Sequence, residues 1–269
     1  MKTFKLPSGA VVKKPFNKLW IVLATVLILV YIFSFFIFAV EPFFKIDELS
    51  KVVVKMFSPR RYQNWGDYFR YMLTLREPLI ETLTLVFSGT LIGVVIAIPV
   101  AILCAKNINK IKWLRFLVRS ILNLYRTIPL MILAATSVYL VGIGILPGIM
   151  AITGFSFGIM AKMLFEIIET VDMSLYEALE STGATKTQAV IKSIIPQVLP
   201  MYISYTIYIF EINIRASVIF GYFGAGGIGT IIKDNAGTHY ERVGATVILL
   251  LVVVLVVQFI SNYVRGKLQ

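Results

Sequence analysis

The sequence predicts an all-α integral membrane protein with about six transmembrane helices. Two observations carry that prediction. Of 269 residues, 58% are hydrophobic and 13% aromatic, and the mean hydropathy is +0.84, far from soluble-domain averages. The apolar residues also fall into uncharged runs long enough to cross a bilayer, flanked by basic blocks. The net charge of +12 is therefore read as the positive-inside bias of a membrane protein, and nucleic acid is set aside as a partner. The single Cys104 cannot form an internal disulfide and the single His239 is too isolated for a metal cluster, so neither a metal site nor redox chemistry is expected.

The first run, Leu19 to Val40, follows a leader carrying Lys2, Lys5, Lys13, Lys14 and Lys18. At about 1.5 Å per residue it is long enough for a hydrocarbon core of roughly 30 Å. Glu41-Pro42 follows with no small-residue cleavage site, so a retained span over 19–40 is expected after a cytoplasmic N-terminus over 1–18. Thr82 to Cys104 forms the second span, 82–104. After it come Lys106, Lys110, Lys112, Arg115, Arg119 and Arg126 with no acid among them, which marks a cytoplasmic block. The uncharged stretch Thr127 to Ala161 is too long for one span. Gly142, Gly144, Pro147 and Gly148 break it, predicting a hairpin of spans at 122–145 and 147–165. A fifth span is expected over 194–221 and a sixth over 243–264, leaving a short tail, 265–269, with Arg265 and Lys267. Six spans and these charges place both termini in the cytoplasm.

Two connecting segments differ in character. Residues 41–81 carry seven basic and six acidic residues, without the cationic bias of an inner loop, and so belong outside. Ile46, Leu49, Val53 and Met56 recur there at helical spacing, which predicts a surface helix. Either a solvated connector or a landing surface for a soluble partner fits this length. Residues 166–192 are polar and face the cytoplasm, and they contain Glu177-Ala178-Leu179-Glu180-Ser181-Thr182-Gly183 leading on to Ile195-Pro196.

Three candidate motifs need separate weighing. Gly224-Ala225-Gly226-Gly227-Ile228-Gly229 satisfies G-x-G-x-x-G, but the strand and helix that a dinucleotide site needs on either side are missing. Close helix approach or a hinge is one reading of Gly224, Gly226, Gly227 and Gly229, and backbone amides offered to an anion is the other. Gly183-Ala184-Thr185-Lys186-Thr187 lacks the spacing of a phosphate-binding loop, so this chain is not expected to hydrolyse ATP. Glu211 and Arg215 stand inside the fifth span, where a central charge costs about 2.5–3.5 kcal/mol and requires a partner or a water-filled cavity. At i, i+4 they can neutralise each other, or Arg215 can face the transport path while Glu211 orients it. Lys162 reads as a snorkelling anchor.

Glu177-Ala178-Leu179, the spacing to Gly183 and the closing Pro196 resemble the EAA loop of bacterial ABC-importer permeases. The chain departs from that pattern at Leu179, Ser193 and Ile195. Phe210-Glu211-Ile212-Asn213-Ile214-Arg215-Ala216-Ser217, the downstream glycine run and Tyr125-Arg126-Thr127-Ile128-Pro129 are similar to the phosphonate-transport branch of those permeases. The likeness extends from about Thr82 to the C-terminus.

The resemblance implies a type I ABC-importer permease fold with a cytoplasmic coupling helix, in the bacterial inner membrane. It implies a second copy of the chain, a cytoplasmic ABC ATPase dimer that binds the ATP and magnesium, and an extracytoplasmic substrate-binding protein. No cofactor is expected on this chain itself. Glu177, Ala178, Leu179, Gly183 and Pro196 are then the ATPase-coupling residues. Glu211, Arg215 and the four glycines are candidates for the path of a phosphonate or related phosphorus oxyanion. A permease for another small solute, such as an amino acid, and an ATP-independent secondary transporter are the competing functions.

Overall fold

A computed structural model describes residues 3–5, 11–13, 18–38, 46–58 and 64–268. The chain divides into two units, 1–52 and 53–269. In the first, β1 (Thr3–Lys5) pairs antiparallel with β2 (Val11–Lys13), Phe4 opposite Val12. This short hairpin is a departure from the purely helical expectation. It precedes α1 (Lys18–Phe38), whose 21 residues reach about 31 Å, the thickness of a hydrocarbon core. Residues 39–40 of the expected first span, and 41–45 and 59–63 of the expected outer loop, lie outside the described residues. The surface helix expected there is α2 (Ile46–Met56), which continues into the second unit. Leu49 and Val53 are exposed on it.

In the second unit, α3 (Trp65–Thr74) leads directly into α4 (Arg76–Cys104), and α4 packs against α7 (Ile145–Ile168). The contact is close because of glycine. A Cβ at Gly89 would come within 2.7 Å of Ile152, and one at Gly93 within 2.6 Å of the Thr153 carbonyl oxygen. Lipid tails are as apolar as leucine, so helix pairs in a membrane gain little from burying apolar surface and depend on such close van der Waals approach. Val94, Ala97, Ala101, Met160, Ala161 and Leu164 continue the buried seam towards the C-terminal ends of α4 and α7.

The stretch expected to form one straight span over 122–145 is instead two helices, α5 (Lys112–Arg126) and α6 (Leu130–Val141), meeting at 88°. Pro129 is the cause. It has no N–H to return to Tyr125, and it is itself extended at φ −61°, ψ 144°. Gly142 at φ +89° and Gly144 at φ +144° then form the turn into α7.

After α7 come α8 (Ser174–Ser181) and α9 (Lys186–Ala189), a π turn at Val190–Ile194, and α10 (Ile195–Tyr222). The last three make one continuous rod, so the helix of the fifth span begins at Lys186, before the expected residue 194. α11 (Ile228–Asn235) and α12 (Tyr240–Leu268) complete the chain. Among the described residues four helical segments, 76–104, 145–168, 186–222 and 240–267, are long and apolar enough to cross a membrane, and the bent α5–α6 pair makes five if counted as one span, against the six expected. The expected tail from residue 265 is the last turn of α12.

Gly93→Leu drives a branched side chain into the α7 backbone and is expected to cost about 1–3 kcal/mol. Thermal unfolding of the detergent-solubilised protein should show a clear drop, while Gly66→Ala, where nothing stands within 4 Å of the new methyl, should show none. An unchanged midpoint for Gly93→Leu would mean that α4 and α7 are not held by this contact.

Candidate coupling surface and path residues

The polar segment folds into a helix-turn-helix whose every boundary has a chemical cause. Asp172 opens it: its carboxylate accepts the Ser174 N–H and the Ser174 hydroxyl, each at 2.9 Å. Those two bonds hold the Asp172 carboxyl below the usual carboxylate range. Glu177 lies in the first turn of α8, where a negative charge suits the helix dipole. Gly183, at φ +91°, closes α8. Its N–H bonds the Glu180 carbonyl and the Ala184 N–H bonds the Leu179 carbonyl, both at 3.1 Å, the paired bonds of a Schellman C-cap. Thr185 at once starts α9 through a capping box with Gln188.

α8 has no fully buried residue. Leu175 is half-exposed and Ala178 exposed, while Tyr176 and Met173 lean on the core. A cleft of 490 Å³ bordered by Glu166, Asp172, Gln197 and Tyr205 lies beside its start. The helix is therefore presented on tethers. Gln197 of α10 accepts the Asp172 N–H and donates to the Asp172 carbonyl, each at 3.2 Å, and also donates to the Ser193 carbonyl at 2.9 Å. Asn107 donates to the Ile168 carbonyl and to the Met173 sulfur. Glu169, just past α7, accepts the Lys106 N–H at 2.6 Å and pairs with Arg119, which donates to the Cys104 carbonyl and lies 4.6 Å over the Phe165 ring. Through these bonds the start of α8 is linked to α4, α5, α7 and α10.

Pro196 sits in the first turn of α10 and gives the rod its irregularity. Having no N–H for the Lys192 carbonyl, it opens the helix there, and the Ile195 N–H reaches back five residues to Val190.

Around the expected path residues, the structure assembles more than the sequence suggested. Glu211 is 5% exposed. One of its oxygens pairs with Arg215 and the other with Arg265 Nη2 from α12, at 2.9 Å. The i, i+4 pair thus exists, but with a third member that sequence reading left in the tail. Two residues on, Asn213 is fully buried and donates to Thr90 Oγ1 and Ser156 Oγ, both at 2.8 Å. Thr90 and Ser156 stand at the midpoints of α4 and α7. Asn213 therefore ties three helices at mid-span, and polar residues isolated within apolar runs were the available signal for it. Lys162 pairs with Glu166 at 3.5 Å on the surface of α7.

The glycine run is a corner. Gly224, Gly226 and Gly227 have φ of +81°, +78° and +77°. Gly229 packs directly on Gly221, where a side chain on either would meet backbone. The Ile228 N–H is taken by Thr82 Oγ1 at 2.7 Å, and a Cβ on Gly227 would lie 2.6 Å from the same oxygen. Close helix approach is thus present at Gly221, Gly227 and Gly229. Among the described residues no three His, Cys, Asp or Glu side chains gather in a way that could hold a metal ion.

Comparison with known proteins bears on both regions. The model of the family described as binding-protein-dependent transport system inner membrane component matches residues 97–269, a stretch holding the helix-turn-helix and all the path residues. The chain is 36% identical over 200 residues to the phosphite transport system permease protein PtxC of Stutzerimonas stutzeri, covering 74% of this chain and 72% of that one. It is 32% identical over 187 residues to the phosphate-import permease protein PhnE of Mycolicibacterium smegmatis, covering 69% of this chain but 35% of that longer protein. Among solved structures, the MetNI methionine ABC transporter in an inward-facing conformation superposes with a TM-score of 0.66 at 27% identity, covering 74% of this chain and 97% of the matched one.

Because the Asp172 carboxyl titrates below its unfolded value, its contribution to α8 is complete above the ordinary carboxylate range, about pH 3.9, and is lost as pH falls through the lowered folded value. Hydrogen exchange of the α8 amides should therefore show protection at neutral pH that declines only in strong acid. Asp172→Ala should remove that protection at every pH. Intact protection in Asp172→Ala at pH 7 would assign the start of α8 to other contacts.

Proposed function

The chain belongs to the binding-protein-dependent transport system inner membrane components, and from that premise we propose that it forms the translocation path of an ATP-driven importer for a phosphorus oxyanion. It is a multi-pass inner-membrane transport permease. The geometry that supports an ATP-driven role is the capped helix-turn-helix, in which Leu175 and Ala178 are left uncovered on a helix held only by tethers. A secondary transporter has no use for such a surface, whereas an apolar stripe on a short helix is what a groove on a soluble partner accepts.

In this reading two copies of the chain enclose the path, two cytoplasmic ATPase subunits receive α8 of each copy, and an extracytoplasmic binding protein delivers the solute. ATP and magnesium belong to the ATPase subunits. Glu177, Ala178, Leu179 and Gly183 form the docking element, and Pro196 with the π turn is the flexible joint between it and α10. Both termini are cytoplasmic, which accords with the basic leader. The substrate class rests on similarity to the phosphite and phosphate permeases, and phosphonate, phosphite and phosphate share the multiply charged oxygen face that such a path would recognise.

The test is uptake of labelled phosphite and phosphonate into proteoliposomes containing the chain, its ATPase and its binding protein. ATP-dependent uptake is expected, and Gly183→Arg should insert normally yet lose uptake, since an L-residue at φ +91° costs about 1–2 kcal/mol and places a bulky charge on the docking face. Uptake that proceeds without ATP would favour a secondary transporter. Normal transport by Gly183→Arg would remove α8 from the coupling role.

A further inference from the structure

Glu211 is bonded by two arginines where one would neutralise it. The cluster holds two positive charges and one negative, a surplus of +1 per chain. A second guanidinium brings a further desolvation penalty that the pairing of Glu211 alone does not require. The surplus is also accessible: Glu211 is 6% exposed at its side chain, but Arg215 is 52% and Arg265 28% exposed. Arg215 lies two residues from Asn213, which is bonded to the midpoints of α4 and α7, so its open face stands deep in the spanning bundle. A guanidinium facing lipid at that depth would be penalised by about 2.5–3.5 kcal/mol, so the exposed side faces water or another polar surface.

We infer that Arg215 and Arg265, both aimed by Glu211, form a positively charged station for the transported oxyanion within the translocation path. This rests on the importer reading above and adds to it the residues that recognise charge. Arg265 reaches in from the last turn of α12, so the station spans two helices and is set by how α12 lies on α10. Glu211 is a positioning residue: with both oxygens engaged it fixes the two planar guanidiniums, and the N–H groups that neither Glu211 nor the Ser261 carbonyl takes remain for a tetrahedral anion. Two copies of the chain would present a surplus of +2, a match for a dianion.

Charge arithmetic separates this role from a structural clamp. Arg265→Gln leaves the Glu211–Arg215 pair intact but cancels the surplus. The double variant Glu211→Gln with Arg265→Gln abolishes the α10–α12 ion pair and restores the surplus of +1. In the proteoliposome assay with labelled phosphite, Arg265→Gln should lower uptake about tenfold, Arg265→Lys, which keeps the charge without the planar fork, should keep an intermediate rate, and the double variant should recover most of the lost rate. Wild-type uptake in Arg265→Gln would overturn the inference. So would a double variant no better than Arg265→Gln, which would make Arg265 a clamp between helices. If Arg265→Gln fails to assemble with the ATPase, the double variant alone decides, near-normal uptake supporting the station and lost uptake overturning it. An assembled wild-type complex that takes up no phosphorus oxyanion would instead sink the proposed function, and this inference with it.

Discussion

The close approach of α4 and α7 is the constraint on which the rest of this bundle depends. Gly89 and Gly93 bring α4 within van der Waals contact of the α7 backbone, and in lipid that contact has no hydrophobic effect to replace it. Thr90 on one helix and Ser156 on the other are thereby set close enough for one amide, that of Asn213, to donate to both. Position along α10 is fixed by that amide, because a slip of one residue would turn Asn213 out of the seam and leave two buried hydroxyls without it. The placement of Glu211 and Arg215, one on each side of Asn213, follows from the same bond.

The end of the bundle that carries α8 is built differently. There the apolar seam gives way to a hydrogen-bonded latch in which Glu169 and Arg119 join the end of α7 to the α4–α5 corner. α8 extends beyond the latch, tethered by Gln197 and Asn107. A helix held by side-chain bonds at one end and left uncovered along its apolar stripe can be pushed as a unit. Its motion has two outlets, the rigid latch into α4, α5 and α7, and the softer rod that starts at α9. In the rod, Pro196 has already removed one backbone bond and widened the turn to a π turn. A displacement entering through Gln197 therefore meets α10 just where its helix is weakest. Asn213 holds the same helix farther along, where it is bonded to α4 and α7.

What the sequence revealed and what it concealed divide along physical lines. Uncharged runs pointed to the four helices long and apolar enough to cross a membrane, because burial in lipid acts on composition, which is additive along the chain. Glu177 and Gly183 were legible through the motif that holds them, because the spacing of a helix start and its C-cap is local chemistry. The broken helix at Pro129 was also local and was overlooked, since the glycines from Gly142 onward gave the more obvious turn. Glycines in the run after α10 pointed to two uses, and the close packing among them is visible only with the positions of Thr82 and Gly221. Asn213 and Arg265 act through residues more than fifty positions away. No periodicity or spacing within one segment carries such information.

Arg265 shows why the distant contact changes the reading of a nearby one. Taken alone, Glu211 and Arg215 are a neutral i, i+4 pair, and a neutral pair in a membrane helix needs no purpose beyond its own compensation. With Arg265 added, the same carboxylate becomes the minority charge. Its burial, at 5% exposure, is then tolerable because both oxygens are engaged by cations, while the cations themselves keep an open side. The buried member of the cluster is thus the one least suited to meet an anion, and the accessible members are the ones best suited. A cluster whose only task was to lock α10 to α12 would gain from the reverse arrangement, with the guanidiniums enclosed and no net charge left over.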